Sequence, residues 1–215
     1  MTPDAPTRTV ICGDALVWLA TAELGPAHAV VTSMPDHSEI GGTLDAWRTW
    51  FIDAARLCCT RVHPDAVAIF YQSDIKHDGR WIDKGHLVHT GADQAGASCL
   101  FHRIVCRKPA GTLGFGRPLY THVLAFSVNG RLPQGHGAPD VLPELGEMTW
   151  SRAMGTQACD RICEFLRSAT ACRTVVDPFC GVGTMLAVAN RHGFAAVGVE
   201  RSPKRARKAG TLTLP

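Results

Sequence analysis

The chain has 215 residues, 46% of them hydrophobic and 19% charged, a balance that supports a full core and excludes global disorder. A net charge of +3 admits an anionic partner without requiring one. No apolar run approaches the roughly 18 residues of a membrane span. The opening Met1-Thr2-Pro3-Asp4-Ala5-Pro6 has neither a basic start nor an apolar signal core. The expectation is therefore one cytoplasmic domain over residues 1–215 with no membrane association. Nine scattered cysteines, an odd number in a chain too long for a small disulfide scaffold, read as reduced thiols.

Short apolar runs alternate with helical patterns, the signature of an open, mostly parallel sheet covered by helices. In chain order, strands are expected over residues 9–12, 29–32, 67–71, 100–106, 123–128, 174–176 and 196–199. Helices are expected over residues 15–23, 44–62, 157–168, 184–192 and 203–209. The second helix is the best marked. Its Trp47, Phe51, Ala54, Ala55, Cys58 and Val62 recur at three- and four-residue spacing, while Asp45, Arg48 and Arg56 fall elsewhere. Residues 109–120 and 129–148 lack periodicity and are rich in glycine and proline. The longer stretch reads as a flexible connection between an N-terminal half, about 9–128, and a C-terminal half, about 149–209.

The most specific segment is Val175-Val176-Asp177-Pro178-Phe179-Cys180-Gly181-Val182-Gly183-Thr184. An apolar strand ends in an acid, a turn with two glycines follows, and a helix opens at the threonine. Glycines let the backbone turn tightly and lie against a ligand at the carboxyl end of a strand. About twenty residues on, the next strand closes in Glu200, a position suited to ribose hydroxyls. A dinucleotide fingerprint would require a third glycine where this chain has Leu186, so NAD fits poorly.

Asp177-Pro178-Phe179 with Gly181, Gly183 and Thr184 resembles the S-adenosyl-L-methionine motif of the amino methyltransferases. Upstream, Ser33-Met34-Pro35-Asp36 is similar to their Ser/Asp/Asn-Pro-Pro-aromatic tetrapeptide. The strand ending in Gly13-Asp14 resembles the one bordering the cofactor's adenine, and Cys106-Arg107-Lys108-Pro109 resembles a strand ending in Trp-x-Lys-Pro. With the cofactor motif last, this permuted order is that of the beta class of DNA adenine-N6 and cytosine-N4 methyltransferases. The resemblance implies an α/β, Rossmann-like methyltransferase fold, with a seven-stranded, mostly parallel sheet and helices on both faces. It implies S-adenosyl-L-methionine as cofactor, held by Asp14, Asp177, Phe179, Gly181, Gly183, Thr184 and Glu200, and catalysis at Ser33, Met34, Pro35 and Asp36.

A base amine is a weak nucleophile because its lone pair is delocalised into the ring. Acceptors such as Ser33 and the Met34 carbonyl would draw it toward tetrahedral geometry. Met34 replaces the first proline and Asp36 the aromatic residue, so the stacking platform is missing and the substrate is less defined than the reaction. Asp36 reads either as a turn cap, or as a base or a binding group for a cationic or amine-bearing ligand; Phe115 or Tyr120 is available to replace the stack. Substrate contacts are assigned to His37, Arg107, Lys108 and Arg117, with Arg103 in the same basic strip. Room for a recognition insert exists only in residues 72–99 and 107–120, including a charged segment around Trp81.

So little room favours structured RNA such as tRNA, read by shape, over DNA. A DNA methyltransferase, a small-molecule methyltransferase and a non-catalytic cofactor-binding member stay open, and a homodimer is compatible with the sequence. No metal is expected, because Cys159, Cys163, Cys172 and Cys180 lack zinc-knuckle spacing. The basic run Arg201–Lys208 reads as the charged outer face of a helix.

Overall fold

A computed structural model describes residues 6–214, so all but Pro6 of the N-terminal stretch read above for its lack of a signal core lies outside the described residues. In order the elements are β1 (Arg8–Cys12), α1 (Ala15–Thr21), β2 (His28–Thr32), α2 (His37–Ile40), α3 (Leu44–Arg61), β3 (Ala68–Gln72), β4 (Ile75–His77), β5 (Arg80–Ile82), α4 (Lys84–Gln94), β6 (Ser98–Cys106), β7 (Tyr120–Ser127), β8 (Val141–Leu142), α5 (Thr156–Ala169), β9 (Thr174–Asp177), α6 (Thr184–Arg191), β10 (Ala195–Glu200) and α7 (Pro203–Thr211). No helix among the described residues is long and apolar enough to cross a membrane.

The main sheet runs β1-β10-β9-β2-β3-β7-β6-β8. Every neighbouring pair is parallel except the two that involve β7. β2, β3 and β9 are almost wholly buried, as expected of central parallel strands covered on both faces, and so read as continuous apolar runs. One apolar layer joins the sheet to α1, α3 and α4 through Leu19, Trp47, Phe51 and Val88. The other joins it to α5, α6 and α7 through Ile162, Leu166, Leu186 and Ala209. The four C-terminal cysteines all pack in that second layer.

All seven expected strands form. The sheet nevertheless has eight, because Val141 and Leu142, inside the stretch read as a loop, pair with Ile104 and Val105 at its edge. Two residues are too few to show a period. The larger correction concerns residues 72–99, read as space for substrate recognition. They form the small β4–β5 hairpin and then α4, which packs on α3. Gly91 permits this contact, since a Cβ there would lie 2.5 Å from Ile52 O. The helix was hidden because its apolar face rests on Leu87, Val88 and Ala92, interrupted by glycines. The C-terminal basic run lies on α7, which buries Ala206 and Ala209 and exposes Lys204, Arg207 and Lys208.

Candidate functional site

Parallel pairing brings the carboxyl ends of β1, β10, β9, β2 and β3 to one edge of the sheet. β9 and β2 lie side by side, with His28 opposite Thr174 and Val30 opposite Val176. The chain leaves β9 toward the face of α6 and leaves β2 toward the face of α3. Such a switch point leaves a crevice uncovered by connections, where ligands of open α/β sheets bind. Here it is a cleft of about 830 Å³, within the roughly 300–1,000 Å³ of small-molecule sites.

On the glycine-turn side, Asp177 closes β9. Its Oδ1 accepts from Thr32 Oγ1 at 2.6 Å across the switch point and from Phe179 N at 3.1 Å. Burial pushes this carboxyl up to about 7, against those two bonds, with Glu200 adding to the rise. Gly181 has a φ of 57°, and a Cβ there would reach within 3.4 Å of Trp150 Cζ2. Thr184 opens α6 and shares a 2.5 Å hydroxyl contact with Thr149. Glu200 uses Oε1 to accept from Ser202 N at 2.6 Å and Arg205 Nε at 3.0 Å. Asp14 caps α1, accepting from Leu16 N and Val17 N at 2.9 and 3.1 Å. Asp14, Asp177, Phe179, Gly181, Thr184 and Glu200 all line the cleft.

Gly183 does not line it. With a φ of 86°, this glycine lets α7 approach, and a Cβ would meet Ala209 Cα at 2.8 Å. Gly183 is thus the glycine against which α7 packs, while Gly181 is the one lining the cleft.

On the other side, Ser33, Met34, Pro35 and Asp36 follow β2 and line the same cleft. The Met34 side chain is buried in the α3 layer, and Pro35 O accepts from Trp47 Nε1 at 3.3 Å. Among the described residues Ser33 Oγ has no protein partner, which leaves it available. Asp36 is the N-cap of α2, its N donating to Glu39 Oε2 at 3.1 Å. Its carboxylate is also paired with Lys84 Nζ at 2.5 Å. His37 meets the cleft with its ring against His77 at 5.3 Å. Arg107, within reach of Ser73 Oγ at 3.4 Å, and Arg117 line the cleft as well.

Four basic-strip and stacking residues lie outside the cleft lining. Lys108 is exposed and outside the cleft lining. Arg103 is buried away from it, its guanidinium 3.9 Å from the Phe101 ring centroid. Tyr120 stacks on Trp81 and donates to Asp74 Oδ2 at 2.9 Å, so it is committed to the wall rather than to a ligand. Phe115 is 91% exposed, outside the cleft lining.

Several lining groups escaped sequence reasoning. Asp74 is a buried hub that accepts from Trp81 Nε1, Tyr120 OH and Lys84 N and contacts His122 Nε2. Burial opposes its ionisation, but the bonds from His122, Trp81 and Lys84 N outweigh it and hold the carboxyl down at about 2. Lys84 and Trp150 come from segments without any motif. Trp50 did carry a signal: a large aromatic off the buried stripe of α3, it lines the cleft and meets Phe179 edge-on at 5.9 Å.

No family model matches the chain, and neither does any curated protein. Solved structures do. TTHA0409 from Thermus thermophilus, a candidate DNA modification methylase, superposes with a TM-score of 0.71 at 19% identity, over 94% of this chain and 92% of its own. That protein has also been solved complexed with S-adenosyl-L-methionine. The cytosine-N4-specific PvuII DNA methyltransferase gives 0.71 at 16% identity, over 96% and 88%. The M1.HpyAVI–SAM complex gives 0.65 at 13% identity, over 94% and 98%. The chain thus has the Rossmann-like α/β fold of these structures.

Proposed function

We propose that the chain is an S-adenosyl-L-methionine-dependent methyltransferase acting on a base amine of nucleic acid in the cytoplasm. One observation carries this reading: the glycine turn with its two flanking acids and the Ser33–Asp36 tetrapeptide, from opposite ends of the sequence, open into a single cleft. The donor set suits the cofactor. Glu200 has Oε2 left for ribose hydroxyls, since its protein bonds use Oε1. Asp177 is a buried carboxylate that is costly to ionise alone and is relieved by a cationic ligand. Phe179 and Gly181 offer an apolar edge and a close backbone approach.

When bound, S-adenosyl-L-methionine supplies an electrophilic methyl group on a sulfonium. The chain's own part is to orient and polarise the amine. Ser33 Oγ and the Met34 carbonyl would accept its N–H groups, drawing the lone pair out of conjugation, and would gain strength as positive charge develops on nitrogen. Trp47, bonded to Pro35 O, stiffens the loop that carries these acceptors.

Two of the solved proteins compared above, TTHA0409 and the PvuII enzyme, are named for DNA, which favours DNA over the structured RNA suggested by the small recognition space. The test is transfer of tritiated methyl into genomic DNA and total RNA from cells lacking the gene, read by nucleoside mass spectrometry. Label in N4-methylcytosine or N6-methyladenine of DNA is the expected result. Label confined to RNA would reverse the choice of polymer, and cofactor binding without label in either would overturn the assignment.

A further inference from the structure

The ion pair between Asp36 and Lys84 has no counterpart in the sequence motifs, yet both residues line the cleft, and Asp36 closes the tetrapeptide that carries Ser33. Its two members differ in exposure: the Lys84 side chain is 4% exposed and that of Asp36 37%. The lysine therefore lies behind the carboxylate, its ammonium 5.6 Å from the Phe51 ring centroid. It is rooted there twice over. Lys84 is the first residue of α4, and its backbone N donates to the buried Asp74 Oδ1 at 2.8 Å. Holding a lysine in such a place is costly unless a carboxylate compensates it, so the pair is a fixed, neutral unit with its acceptor side toward the cleft.

Resting on the reading above, we infer that Asp36 selects an amino over a keto edge in the target base and that Lys84 is its positioning residue. With Oδ1 held by Lys84, what Asp36 offers a ligand is its remaining lone pairs. Ser33 Oγ lies in the same tetrapeptide and is free to accept. A base edge presented here meets several acceptors together. An amino group brings N–H donors to them, whereas a keto oxygen sets lone pairs against a carboxylate that cannot reorient. A site built around a hydrogen bond rejects the analogue that lacks it, because its own polar group is left unpaired. Cytosine against uracil, and adenine against hypoxanthine, differ in this amino-for-keto exchange, together with a proton on the adjacent ring nitrogen.

The experiment is mononucleotide binding to the intact protein by saturation-transfer NMR and calorimetry, with dCMP against dUMP and dAMP against dIMP. The amino nucleotide of at least one pair should bind about tenfold more tightly than its keto partner. Lys84→Met should reduce that ratio to about twofold by releasing Asp36, and Lys84→Arg should restore most of it. Affinity for S-adenosyl-L-methionine should stay unchanged in both variants. Equal binding within both pairs by the wild-type protein, or no binding of any of the four, overturns the inference without recourse to a variant. A ratio unchanged in Lys84→Met overturns the part assigned to Lys84. Failure of the methyl-transfer reading shows separately, as missing label from a protein whose amino preference persists.

Discussion

At the centre of the sheet two neighbouring strands end side by side, and the chain leaves them in opposite ways. After β9 it turns into α6, and two ties of that turn are local: Asp177 Oδ1 takes Phe179 N at 3.1 Å, and Cys180 O takes Gly183 N at 2.8 Å. After β2 it passes through Ser33–Asp36, the four-residue α2 and the left-handed Gly41 and Gly42 before α3 begins. Besides the local Asp36–Glu39 cap, this loop is tied at a distance, Pro35 to Trp47 and Asp36 to Lys84. Part of the glycine turn's shape comes from bonds within it, and Cys180 N donating to Val199 O at 3.0 Å ties it to β10. A loop completed from other elements can be rebuilt for a new substrate without disturbing the turn next door, and the 2.6 Å bond from Thr32 to Asp177 is the seam between them.

The sharpest way to probe the glycine turn is Asp177→Asn, which keeps both acceptor contacts and removes the charge. The folded value of about 7 exceeds the ordinary 3.8, so the cofactor-free fold binds the extra proton. Its stability should fall as pH rises through that window, by up to about 4 kcal/mol, and level off above it. The variant should lose that slope in urea unfolding across pH and bind cofactor at least about tenfold more weakly. Parallel pH curves for the two proteins would show that the buried charge carries no cost.

Ser33→Ala tests the distant-tied loop and should separate the two regions. Turnover is expected to drop about 100-fold, while calorimetry finds cofactor affinity unaltered. A matching loss of cofactor affinity would mean that Ser33 belongs to the turn's side of the cleft. Gly183→Ala attacks the turn through packing, forcing a Cβ into Ala209. It should cost about 2–3 kcal/mol in thermal unfolding and leave affinity intact below the transition. Weakened cofactor binding at low temperature would instead restore Gly183 as a ligand contact.

The smallest effect is expected at the root of Lys84. Asp74→Asn should destabilise by about 1–2 kcal/mol at neutral pH and alter the near-ultraviolet signal of Trp81. Because the Asp74 carboxyl is held below its ordinary value, at about 2, its stabilisation is present above the unfolded value and fades as pH falls toward 2. The difference between the two proteins should close over that range, and a pH-independent gap would assign the effect to packing alone.

Much of the fold was legible because its signals are short. Buried strands such as β3 are continuous apolar runs, and α3 repeats its apolar residues at helical spacing. α4 was not legible, since an interface built on the absence of a side chain at Gly91 leaves no periodic mark. The same blindness affected the site. Asp36 was visible as a departure from a motif, but its partner lies 48 positions away on that unseen helix. Gly183 was visible as a motif glycine, but what it accommodates is Ala209 on α7.

By itself, then, the amino-acid sequence determined the seven main strands, the glycine turn between two acids, and the order in which the two halves of the cleft occur. Those properties depend on residues a few positions apart, where turn chemistry and side-chain period act directly. Only the tertiary structure decided that Lys84 stands behind Asp36, that Trp150 covers Gly181 and that Asp74 joins Lys84, Trp81, Tyr120 and His122. Each of these depends on how whole elements pack, and packing brings together side chains whose separation along the chain carries no record of their meeting.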